Sequence, residues 1–243
     1  MKTLLLLLLV AFAIPLQAAS ETWETRYSQL LEKYASPKGV RYAAWKSDPG
    51  DLKDLNQITD LVAKTDPSSL SRNEQLAFYI NAYNAWTLRN VLAAYPIGSI
   101  RDVYPLFGFF SRKTITVSGK KMSLNKLEKE IIIAKFHEPR IHAAINCASK
   151  SCPWLASEAY TAPKLGAQLD AAFNNFVNRN PDGVSVAQDG KSVAISSIFK
   201  WYADDFKPKG GAVSFINEFR KKPLPADAQI SYQDYDWNLN DAH

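Results

Sequence analysis

Both cysteines of the chain, Cys147 and Cys152, lie in the short stretch Arg140 to Trp154, together with His142, one of three histidines. Sulfur and imidazole this close admit three chemistries. The first is a disulfide, which an even cysteine count and an oxidising compartment favour. It would close a six-residue loop worth about 2 kcal/mol, with Ala148-Ser149-Lys150-Ser151 as the turn. The second is a thiol nucleophile with His142 as its base. Thiolates are favoured at helix N-termini. Cys152 precedes Pro153, a favoured first helical residue, so the pattern predicts Cys152 at an N-cap. Cys147 is the rival, because it directly follows a predicted buried strand, Arg140 to Asn146. On a continuing strand His142 and Cys147 point to opposite faces and stand about 16 Å apart, so their pairing needs the chain to turn. Cys152 reaches His142 if the loop doubles back. His142 itself also reads as a plain core residue. The third chemistry is a metal centre that adds His137, but H-x4-H-x4-C-x4-C fits no familiar zinc ribbon or finger. No metal and no cofactor is expected.

Asn81 and Asn84 form a second cluster. They stand three apart on one face of a predicted helix that is apolar nearly all round. Buried amides need partners. These two either tie a loop backbone to the helix or orient a histidine and polarise a carbonyl.

The elements that must position these groups follow from pattern. Helices are predicted over 22–35, 51–64 and from Ser71, where Ser71 and Glu74 spell a capping box. That third helix stops at Tyr95-Pro96. Residues 97–113 form an aromatic loop with Tyr104, Phe107, Phe109 and Phe110. A strand over 114–117 turns at Ser118-Gly119-Lys120, and Ser123 caps a helix to about Ala134. Helices are predicted from Pro153, over Lys164 to Val177, and at about 197–206 and 212–221. Val184 to Ala187 and Ser192 to Ile195 flank Asp189-Gly190 as a hairpin. Helices and short antiparallel strands are segregated, so the fold class is α+β: a mainly helical single domain with short antiparallel strands and hairpins.

Met1-Lys2-Thr3, an apolar run from Leu4 to Ile14 ended by Pro15, and small residues at Ala18 and Ala19 spell a cleavable signal peptide over 1–18. The run is shorter than the roughly 20 apolar residues that a membrane span needs. A secreted or periplasmic location and no membrane span in the mature chain are therefore expected. The chain is 47% apolar overall, and the remainder is long enough for one core. The net charge of +5 is mild and its basic residues are interleaved with acids. That pattern argues for solvated faces and against nucleic acid as a partner.

Several segments resemble a known family, the domain of unknown function 547 (DUF547). They are Ala77-Phe-Tyr-Ile-Asn-Ala-Tyr-Asn-Ala85, Ser118-Gly-Lys-Lys-Met-Ser-Leu124, Arg140-Ile-His-Ala-Ala-Ile-Asn-Cys147 with Ser151-Cys-Pro153, Ser197 to Phe206, and Tyr235-Asp-Trp237. Tyr79 stands where a tryptophan is expected. The resemblance divides the chain into the signal peptide, an N-terminal helical extension over 19–70 and a DUF547-like α+β domain over 71–243. It implies that His142, Asn146, Cys147 and Cys152 share one site, and it implies no settled reaction.

Three functions fit these residues. One is a thiol-dependent hydrolase or acyl transferase, with Cys152 or Cys147 attacking a carbonyl, His142 as base, and Asn81, Asn84 or Asn146 orienting the base or polarising the carbonyl. Another is a non-catalytic binding module with a structural Cys147–Cys152 disulfide and an aromatic pocket for a small-molecule or peptide ligand. The last is a thiol–disulfide exchange protein. Nothing in the sequence reads on oligomeric state.

Overall fold

The computed structural model describes residues 22–104 and 108–242. The predicted signal peptide, 1–18, and Leu106 and Phe107 of the aromatic loop lie outside them. Helix α1 (Trp23–Tyr34) starts at Thr22, whose side chain accepts from the Thr25 N–H. A two-residue hairpin, β1 (Ala35–Ser36) and β2 (Gly39–Val40), leads into the short α2 (Tyr42–Lys46). In α3 (Pro49–Lys64), Asp48 accepts from Gly50 and Asp51, and Pro49 opens the first turn. The long α4 (Arg72–Ala94) carries the predicted capping box with both of its hydrogen bonds, and Leu76, Ile80, Tyr83, Leu88 and Val91 are buried on several of its faces.

Residues of α1 to α4 share one core cluster in which Tyr27, Tyr42 and Trp45 are fully buried. The predicted aromatic loop contains a 3-10 turn at Ile100–Asp102 and the short α5 (Gly108–Ser111), where Phe109 and Phe110 are buried. Strands β3 (Ile115–Val117) and β4 (Lys120–Met122) pair antiparallel. Ser123 then caps a helix in three parts. These are α6 (Leu124–Lys126), a π-helical stretch (Leu127–Ile133) and α7 (Ala134–Phe136).

The second half builds a smaller cluster. Helix α8 (Leu165–Asn178) buries Phe173 and Phe176 against α9 (Ile198–Trp201), α10 (Ala203–Phe206) and α11 (Ala212–Phe219). Strands β5 (Val184–Val186) and β6 (Ser192–Ile195) form the predicted hairpin. A further strand, β7 (Gln229–Tyr232), runs parallel to β6 after the chain has crossed over through α9 to α11. The pattern had offered antiparallel pairs alone, because β7 is four residues long and mostly exposed. The fold is mixed α+β and mainly helical. No helix among the described residues is long and apolar enough to cross a membrane.

The final residues bind the two halves together. Val40 N–H donates to the Asn240 carbonyl, Ala242 N–H to the Val40 carbonyl, Leu239 N–H to the Gly98 carbonyl and Lys150 N–H to the Asn238 carbonyl. Gly39 permits this approach. It has φ +118°, and a Cβ there would sit 2.2 Å from the Asn240 carbonyl oxygen.

Two expected elements are absent. Arg140 to Asn146 is not a strand: Pro139–Ala143 forms a 3-10 helix capped by Glu138, whose side chain accepts from the Arg140 N–H. A short apolar run fits a buried helical turn as well as a strand, and Pro139 at the first helical position decides between them. No helix starts at Pro153 either, so Cys152 is not a helix N-cap. The Asn146 amide donates to the Pro153 carbonyl and the Asn180 amide to the Cys152 carbonyl, which holds this segment irregular.

Candidate functional site

Cys147 and Cys152 are joined by a disulfide, with Cα atoms 6.2 Å apart and within the usual span of such bonds. The loop between them is tightly set. Ala148 has φ +62°, a conformation that non-glycine residues seldom adopt. Its N–H donates to Asn146 Oδ1 at 2.8 Å, and its carbonyl accepts from the Asn240 N–H. Cys152 N–H donates to the Ser149 carbonyl, and Cys147 N–H lies 3.0 Å from the Cys152 sulfur. The Tyr235 hydroxyl sits over the pair, 3.2 Å from Cys147 Sγ and 3.3 Å from Cys152 Sγ.

Three asparagines brace this loop and its neighbours. Asn84 donates to the Ala144 carbonyl at 2.9 Å and accepts from the Asn146 N–H at 2.8 Å. Asn81 does the same for Tyr160, at 2.8 and 2.9 Å. Each is a two-point clamp between α4 and a distant backbone, the tie expected of buried amides. Asn146 donates to Pro153 and accepts from Ala148 and Asn240.

His142 stands on the 3-10 turn, 4% exposed. Its Nε2 lies 2.8 Å from Asp205 Oδ2. An ionised carboxylate only accepts, so Nε2 carries the hydrogen, and in a neutral ring Nδ1 is then the acceptor nitrogen. The ring packs against Tyr202 at 4.2 Å and Phe206 at 5.6 Å between centroids. The turn under it is fixed from outside. Arg140 holds both Glu138 oxygens and reaches Asp170 on α8 at 2.6 Å. Burial raises the Glu138 carboxyl, but the hydrogen bonds from Arg140 outweigh it and hold that carboxyl below its usual range.

A group with a lowered folded pKa adds stability above its unfolded pKa of about 4.3, and loses it as pH falls through the folded value. Wild-type protein is therefore expected to lose more stability than Glu138→Gln between about pH 5 and pH 2. Urea midpoints at a series of pH values check this, and parallel curves for the two proteins would remove the bridge from the account.

His142 and both cysteines line one cavity of about 200 Å³, together with Tyr83, Glu128 and Tyr202. Trp201, Tyr235 and Trp237 form its aromatic rim. Tyr235 lies 4.9 Å from Trp201 and 4.6 Å from Trp237 between ring centroids. Glu128 is buried in the π-helical stretch, and the hydroxyls of Tyr83 and Tyr202 donate to its carboxylate. Burial and the Glu128 charge push both phenols well above their usual pKa, and burial does the same to Tyr235. All three keep their protons at neutral pH.

The structure thus brings His142, Cys147 and Cys152 to one cavity and sets Asn81, Asn84 and Asn146 behind it as backbone ties. His137 ends α7 and lines a different cavity. No group of three or more His, Cys, Asp or Glu residues among the described residues is arranged to hold a metal ion. Sequence reasoning missed Glu128, Tyr202, Asp205, Tyr235 and the two rim tryptophans. A signal for Glu128 exists. It stands four residues after Leu124 and four before Ile132, both fully buried, so an acid occupies the core stripe of its helix.

Residues 67–177 match the model of a family described as Protein of unknown function, DUF547. The match includes both asparagine clamps, the His142 turn and both cysteines. No curated protein matches the chain, and no solved structure matches it.

Proposed function

We propose that this chain is an exported ligand-binding domain, with its small aromatic cavity walled on one side by the Cys147–Cys152 disulfide. The bonded sulfurs carry the reading. A thiol nucleophile needs a thiolate, and neither sulfur is free. The asparagines add support, because amides that already hold backbone groups are not poised to hold an oxyanion. A cavity of about 200 Å³ is smaller than the roughly 300–1,000 Å³ of sites for drug-sized ligands, which suits a small molecule or one side chain of a peptide. The leader pattern and the paired cysteines both fit a secreted or periplasmic location.

Iodoacetamide labelling of native protein recovered from its host, read by peptide mass across pH, tests the reading. Neither cysteine is expected to label until a reductant is added. Fast labelling of one cysteine without reductant, at an apparent pKa below about 7.5 against about 8.5 for an ordinary thiol, would overturn it. The same peptide maps read the N-terminus: a start near Ala19 or Ser20 supports export, and an intact Met1 defeats it.

A second reading rests on the 2.8 Å contact between His142 and Asp205. A dithiol reductant that gives two electrons and two protons to the disulfide would leave two thiols on the wall that His142 shares. His142, oriented by Asp205, would then serve as the base of a thiol hydrolase or acyl transferase. An esterase or amidase activity that appears only on reduction and is lost in both His142→Ala and Asp205→Asn would favour this reading.

A further inference from the structure

We infer that the cavity takes a small organic cation, an ammonium head group on an apolar body; this rests on the proposed binding function. Three independent features converge on that chemistry. First, among the described residues the one formally anionic side chain in the cavity wall is Glu128, and no lysine or arginine lines it, although the chain as a whole carries a net charge of +5. Glu128 is 5% exposed. Its hydrogen-bonding partners, the Tyr83 and Tyr202 hydroxyls, are neutral donors. They satisfy lone pairs without supplying a counter-charge. A buried carboxylate of that kind gains from a cationic partner.

Second, the rim offers ring faces. Trp201, Tyr235 and Trp237 lie within 6 Å of one another, at 4.9, 4.6 and 5.8 Å between centroids. Trp201 is 49% exposed, a large apolar surface left at the cavity mouth. Tryptophan and tyrosine faces attract ammonium groups through the ring quadrupole, the more so where the site is dry. Third, the approach carries carboxylates. A wider surface depression shares Trp201, Tyr202 and Trp237 with the cavity and adds Asp204, Asp205 and Lys129; Asp204 is paired with Lys207 at 2.5 Å, while Asp205 faces His142. Carboxylates at an entrance raise the local concentration of cations. The rings would enclose the head group, Glu128 would balance its charge, and the small volume would admit little beyond it.

Isothermal titration of the purified, disulfide-intact protein with choline and with its neutral isostere 3,3-dimethyl-1-butanol separates charge from shape. Choline is expected to bind at least tenfold more tightly. Glu128→Gln should abolish that preference while leaving binding of the isostere unchanged. Trp201→Ala, at a half-exposed position that the fold tolerates, should weaken choline about tenfold and keeps the test open if the Glu128 variant does not fold. An N-acetyl trimethyllysine amide, run alongside, tells a peptide side chain from a free small molecule, and binding of either cation supports the inference. Equal binding of choline and the isostere overturns it. Indole serves as a neutral aromatic control. Indole bound while both cations are ignored overturns the cation and leaves the binding site standing. Failure of all four probes overturns both.

Discussion

Replacing Asn84 with Ala is expected to lower the stability of the fold by about 2–6 kcal/mol. The substitution removes one side chain and orphans two buried backbone groups, the Ala144 carbonyl and the Asn146 N–H, each at roughly 1–3 kcal/mol. At roughly 2–4 °C per kcal/mol for a chain of this size, the melting temperature should fall by about 4–24 °C. Asn81→Ala should behave alike, since Tyr160 loses the same pair of bonds. Asn84→Asp separates the two halves of the clamp. It still accepts from Asn146 but has no donor for Ala144, and it brings an unpaired charge into the core, so it should not rescue stability. Melting curves within 2 °C of wild type for both Ala variants would mean that the loops do not depend on α4.

The second large effect is expected at Phe173. It is fully buried and packs edge-on or tilted against Phe215 and Phe219 at 4.8 Å and Phe199 at 6.2 Å between centroids. It therefore joins α8 to α9 and α11 in the smaller core cluster, which also takes in Ala143 beside His142. Phe173→Ala should cost about 3–5 kcal/mol through lost transfer energy and the cavity left behind. Phe173→Leu keeps most of the volume and should cost less than half as much. Urea unfolding at unchanged m-value reads both. A loss below about 1 kcal/mol for the Ala variant would show that α8 and α11 close over the hole.

These two sites also mark how far the sequence could be read. Helix α4 was legible because its start signal is local, Ser71 and Glu74, and because its apolar residues run round every face. The asparagine face was legible as a pair, and both uses of it stayed open, since the partners Ala144, Asn146 and Tyr160 are sixty or more positions away. The His142 stretch misled. Its buried run follows a proline that selects a helical turn, so the two-residue alternation that seemed to separate His142 from Cys147 does not exist. Most of the cavity was out of reach for a different reason. Tyr83, Glu128, Tyr202 and Tyr235 come from four distant segments; a tyrosine has no spacing rule that a short window can detect, and the place of Glu128 in its helix's core stripe marks burial without naming its partners. Ser197 to Phe206 and Tyr235 to Trp237 carry the family resemblance, yet neither holds a histidine or cysteine to draw a chemical reading.

The tail that crosses from Gly98 to Val40 has a consequence for how this fold is completed during synthesis. Val40, near the start of the described chain, finds its backbone partners at Asn240 and Ala242, and the disulfide loop finds its own at Asp236, Asn238 and Asn240. These residues are made long after Val40 and the cysteine loop, since synthesis runs from the N-terminus. The β1–β2 hairpin and the cysteine loop must therefore wait, with open backbone groups and Gly39 uncovered, until residues 236–242 have been delivered. Helices α1, α3 and α4 can pack meanwhile, but the seam between the early and late parts of the described chain closes only when that tail arrives.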